Sequence, residues 1–100
     1  MKRAQVWLDK IRVTREKRQG AGSEYEVRCM HLPAEKLFLG ECEATPEAVA
    51  KLSGVHVYYA TIAMERMGTG CFVFSTNLGT ESIEYYLVVL PAGVRRHTLL

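Results

Sequence analysis

The sequence is poor in the features that announce a chemistry. No apolar run approaches the ~20 residues that span a bilayer, so no membrane partner is expected. Nothing resembles a nucleophile elbow, a glycine-rich phosphate loop or a paired-carboxylate motif. Met67-Gly68-Thr69-Gly70 has two glycines but leads into a strand, as a hairpin turn does. Cysteine is scarce and odd in number: Cys29, Cys42 and Cys71 stand far apart, each among strand-like residues. That pattern argues against a disulfide framework, and the thiols read as small buried hydrophobes. Cys29 and His31, with Cys42, His56 and Cys71, lack the ligand spacing of a zinc knuckle. No metal, cofactor or catalytic set is therefore expected. Internal repeats, linkers and low-complexity segments are missing as well. The first residues hold no apolar signal region, because Asp9 and Lys10 interrupt it, which points to a reducing, cytoplasmic setting.

What is present is one domain of 100 residues, 48% hydrophobic and 24% charged, enough to build a single core without staples. The net charge of +2 is unevenly spread. Through residue 18, seven basic residues accompany only Asp9 and Glu16, while the rest of the chain carries six basic and nine acidic residues. Such asymmetry bears on partners rather than on fold.

The clearest local structure is a helix over residues 44–54. Thr45 is suited to the N-cap, Pro46 to the first helical position, and Glu47 to the positive end of the helix dipole. Ala48, Val49 and Leu52 form one face, Lys51 lies near the negative end, and Gly54 suits the left-handed closing position. Strand patterns flank this helix. Residues 4–16 alternate imperfectly, with Val6 and Leu8 in one phase and Trp7, Ile11 and Val13 in the other. A bulge near Asp9 or Lys10 would bring Val6, Leu8, Ile11 and Val13 to one face. A helical alternative groups Ala4, Trp7, Leu8 and Ile11. After a turn at Gln19–Ser23, residues 24–32 form a second strand, and a third runs over 36–44, where Gly40, Cys42 and Ala44 offer a shallow seat for the helix. Residues 55–65 are rich in Val, Tyr, Thr and Ile and read as a strand, with a helix stacking Val55, Tyr59, Ile62 and Met67 as the alternative. Strands over 71–76 and 82–90 complete the set, and residues 94–100 form a tail that is flexible or docked by its leucines. The expected fold is α+β: a mostly antiparallel, curved sheet in the order β-β-β-α-β-β-β, with one short helix packed on it.

Two surfaces stand out. Tyr58-Tyr59 and Tyr85-Tyr86, read as lying in strands of one sheet, each direct one ring to each face. The outward rings, with Trp7, would form an amphipathic patch of the kind that anchors protein interfaces. Lys10, Arg12, Arg15, Lys17 and Arg18 form a basic stretch on the first hairpin, suited to phosphate contacts in a β-ribbon, although Glu16, Glu24 and Glu26 lie close by. The leading expectation is a small non-enzymatic binding protein, a regulator, inhibitor or assembly subunit, acting through a sheet face or edge on another protein or on a second copy of itself. A nucleic-acid-binding ribbon is the alternative. An enzyme pairing Cys29, Cys42 or Cys71 with a histidine is the third class.

Overall fold

A computed structural model describes residues 2–96; the side chains at positions 28–31, 33, 34 and 78 lie outside the described residues. The chain runs β1 (Arg3–Gly20), β2 (Ser23–Glu43), α1 (Pro46–Ser53), α2 (Val57–Glu65), β3 (Cys71–Leu78) and β4 (Glu81–Pro91). All strand pairs are antiparallel, in the order β2-β1-β4-β3. The fold is thus α+β with an antiparallel sheet. The second and third expected strands are the two halves of β2, which meet at a register shift opposite Lys10 and Ile11.

Local chemistry sets the hairpins and the first helix. Ala21 and Gly22 both adopt positive φ between the paired Gly20 and Ser23, the conformation a two-residue type I′ turn demands. Thr45 caps α1 by accepting from the Ala48 amide, and Gly54 closes it at φ 75°. The seat for this helix lies where the small residues of β2 place it. A side chain on Gly40 would abut Leu52 of α1.

Residues 57–65 are helical, which corrects the expected strand over 55–65. His56 caps this second helix, its Nδ1 accepting from the Tyr58 amide at 3.0 Å. Ala60 and Ala63, one turn apart, are fully buried and let the helix lie close on the sheet. β-propensity measures how well a side chain packs on a pleated surface. Here the sheet is already complete, and the segment serves it better as a lid. Tyr58 and Tyr59 consequently belong to a helix and not to the sheet that carries Tyr85 and Tyr86.

α1 rests on β2 and β1, and α2 on β4 and β3. Between the helices and the sheet lies the core of Ala4, Val6, Val49, Ala60, Ala63, Cys71, Leu87 and Val89. The helices cover only one end. The molecule measures 54 × 29 × 20 Å with a radius of gyration of 16.0 Å, against about 13 Å for a compact chain of this length.

The two apolar phases of β1 follow from this elongation. β1 pairs with β4 without interruption from Ala4 to Thr14, so the bulge expected near Asp9 or Lys10 is absent from that ladder. The extra residues sit on β2 instead, at three register shifts. Val6 and Leu8 therefore face the helices, while Trp7, Ile11 and Val13 face the other side. Val13 and its β4 partner Ser82 are both fully buried on that other side. The buried face of the sheet changes along its length, because bulges on β2 bend and twist the ribbon.

The described chain after β4, through Arg96, is docked by polar contacts. The Gln5 side chain donates to the carbonyls of Pro91 and Val94. Arg96 makes a two-pronged pair with Asp9 and lies over the Trp7 ring. Leu99 and Leu100 lie outside the described residues. Among the described residues, no helix is long and apolar enough to cross a membrane.

Candidate functional site

The helix-side face of the sheet continues beyond the two helices. Cross-strand pairing places Lys10 beside Tyr85, Arg12 beside Leu32 and Ile83, and Leu8 beside Leu37; Phe74 of β3 pairs with Tyr85. Leu32 is 48% exposed, Leu37 40% and Phe74 46%, while Leu8, Ile83 and Tyr85 are half-buried. The Phe74 and Tyr85 rings stack with centroids 4.3 Å apart and planes 16° from parallel. The Lys10 ammonium lies 5.7 Å from the Tyr85 centroid. The result is a strip of apolar and aromatic side chains with cations along its middle strand.

The opposite face carries a different chemistry at its hairpin end. Arg15 donates to the Ser82 hydroxyl and, at 3.4 Å, to Glu84; the Tyr86 hydroxyl donates to the other Glu84 oxygen at 2.6 Å. Ser82 and Glu84 are buried, so these bonds offset the desolvation of a polar cluster inside the sheet. Beside it opens a polar trough of about 410 Å³ lined by Arg15, Glu26, Ser75, Asn77 and Gly79. Glu26 lies on β2 and Ser75 on β3, at opposite edges of the sheet. A flat sheet would hold those strands about 14 Å apart, and their shared trough reflects the curl of the ribbon.

The residues singled out from sequence do not assemble into one site. Tyr58 is exposed on α2 and meets Tyr59 edge-on at 5.4 Å. Tyr85 faces the helix side; Tyr86 and Trp7 face the other, where Phe72 packs edge-on against Tyr86 and Phe38 tilts against Trp7. The expected aromatic patch is therefore divided between two sheet faces and a helix. The basic stretch is real, but most of it is neutralised. Lys10 pairs with Glu35 at 3.2 Å, Lys17 with Glu24 at 3.3 Å, Arg15 with Glu84, and Arg18 with Glu16. Arg12 alone of the five makes no ion pair among the described residues.

The thiols sit in apolar surroundings. Cys71 is buried and Cys42 half-buried, both free. Burial pushes both thiols above their ordinary value; Arg3 beside Cys42 and Arg66 beside Cys71 offset this only in part. A raised thiol pKa means little thiolate and a poor nucleophile. The Cys29 and His31 side chains lie outside the described residues. Among the described residues, no cluster of His, Cys, Asp or Glu is arranged to hold a metal ion.

The exposed strip of Leu32, Leu37 and Phe74 was missed in the sequence because each residue resembles ordinary strand filling; only the strand register puts them on one uncovered surface. A weak signal existed in the polar Lys10–Arg12–Thr14 phase of β1, which marks the side that solvent reaches. The chain matches no protein-family model, and no curated protein or solved structure matches it.

Proposed function

We propose that this chain is a non-enzymatic binding protein, a regulator or assembly subunit, that docks another protein chain on the uncovered half of its helix-side face. The observation that carries this reading is the exposure of Leu32, Leu37 and Phe74 on the same uncovered face as Tyr85 and Ile83. Contiguous exposed apolar surface framed by polar groups is the usual mark of an interaction site. The face is favoured over the edge by the outer strands themselves. β2 carries an extra residue at each of three register shifts and β3 carries one between Phe72 and Phe74, and bulges of this kind protect an edge from pairing with another strand. The elevated thiols and the four paired cations favour this reading over a cysteine enzyme or a nucleic-acid ribbon. A reducing, cytoplasmic setting is part of the proposal, supported by the free Cys42 and Cys71.

The test is affinity capture from the source cell with three baits: the wild-type chain, Phe74→Glu and Phe72→Glu. Phe74 and Phe72 lie on opposite faces of β3 and are equally exposed. A partner held by wild type and Phe72→Glu but lost with Phe74→Glu supports the proposal. Partners that are indifferent to Phe74 refute it.

A further inference from the structure

Resting on that reading, we infer that the occupant of the uncovered half-face is a second copy of this chain, packed sheet to sheet about a two-fold axis. Three features of the face point to its own likeness. The first is charge. Arg12 and Glu81 occupy neighbouring positions on this face, since Arg12 pairs with Ile83 and Thr14 with Glu81. Both are exposed, and neither makes an ion pair among the described residues. A two-fold axis lying in the interface across their midpoint places Arg12 of one copy over Glu81 of the other, and does so twice. An isologous contact requires this self-complementarity; a face of one sign would repel its copy.

The second feature is shape. α1 and α2 end short of the half-face and leave a step one helix diameter high, about 10 Å. Packed sheets stand about 10 Å apart. A copy turned end for end thus lays its strands beside the helix layer, with the two helix pairs at opposite ends of the assembly. The third is composition. Phe74, Ile83 and Tyr85 flank the Arg12–Glu81 pair on the same face, and apolar residues of this kind fill the cores of packed sheets.

The test is the mass of the full chain by light scattering on a size-exclusion column, across loading concentrations from about 10 μM to about 1 mM. A mass near twice 11.3 kDa is expected, insensitive to an added mixed duplex oligonucleotide. Phe74→Glu should weaken the dimer about tenfold or more, and Arg12→Glu or Glu81→Arg alone about tenfold. The double variant R12E/E81R should restore it. Both charged residues are exposed, so an unchanged far-ultraviolet circular dichroism spectrum of the variants separates lost association from lost folding. A single-chain mass at every concentration overturns the inference, as does a dimer that ignores Phe74 and the charge reversals. A monomer whose capture partner depends on Phe74 leaves the face reading standing without the second copy. A monomer with no such partner removes both.

Discussion

The guanidinium of Arg96 grips the carboxylate of Asp9 with two hydrogen bonds, one of 2.7 Å, across 87 positions of sequence. The same guanidinium lies 4.9 Å from the Trp7 ring centroid, so one side chain ties the chain after β4 to the face opposite the helices. Both partners are mostly buried, 10% and 15% exposed. Removing one half of a buried pair strands the other, but here the strap can peel away and let water reach Asp9. Arg96→Ala should therefore cost about 1–2 kcal/mol, between the surface and buried cases. Trp7 is the only tryptophan, which makes the local release visible as a red shift in native-state fluorescence. A native spectrum identical to wild type would show that Arg96 does not hold the strap.

Gly40 has φ 140°, a region that side-chain-bearing residues rarely enter, and its missing Cβ faces Leu52 of α1. Gly40→Val should cost about 2–3 kcal/mol through backbone strain and displacement of the helix. Leu52→Ala at the partly exposed other partner should cost less. Urea midpoints of the two variants and their combination would measure this, and less than additive losses are expected because the two positions touch.

Burial raises the Cys71 thiol above its ordinary value, so the folded chain holds that proton more tightly than the unfolded one. The associated stability is present below the ordinary thiol range and is lost as pH rises through the elevated folded value. Thermal midpoints should fall from about pH 9 upward, and Cys71→Ala should flatten that alkaline fall. At neutral pH, Cys71 should resist a thiol reagent until the chain is unfolded. Prompt labelling of the native protein at Cys71 would contradict its position in the core.

Arg15 and Lys17 behave differently although they stand two residues apart. Arg15 serves buried Ser82 and Glu84, and Arg15→Glu should cost about 3 kcal/mol or more by opposing two carboxylates in a buried cluster. Lys17 and Glu24 are both largely exposed, at 64% and 52%, and Lys17→Glu should change stability by under about 1 kcal/mol. Lys17→Glu is thus the clean probe of phosphate contact. Duplex affinity that falls with this variant and with salt would favour the ribbon reading.

Much of the architecture was legible in local signals. Thr45, Pro46 and Gly54 mark α1 because capping depends on the residues at the cap itself. The hairpin turn at Ala21 and Gly22 follows from glycine near a register-closing pair, and the small residues of β2 foretold the seat of the helix. The strand that carries Tyr85 and Tyr86, β4, is legible for the same reason. Residues 57–65 were not, since their β-branched and aromatic composition competes with a burial pattern that exists only once the sheet lies beneath them. The split phases of β1 were seen but misattributed to a bulge in that strand. They record two ends of one strand buried on opposite sides.

The sequence by itself determined the caps, the turns and the alternation of each strand, because these arise from neighbours a few positions apart. It also determined that one face of β1 beyond Leu8 would be polar. Only the tertiary structure decided which face is covered at which end, which cations already have partners, and that Leu32, Leu37, Phe74 and Tyr85 share one surface. Those outcomes depend on register between strands tens of residues apart, and a shift of one residue in that register would turn every one of these side chains to the other face.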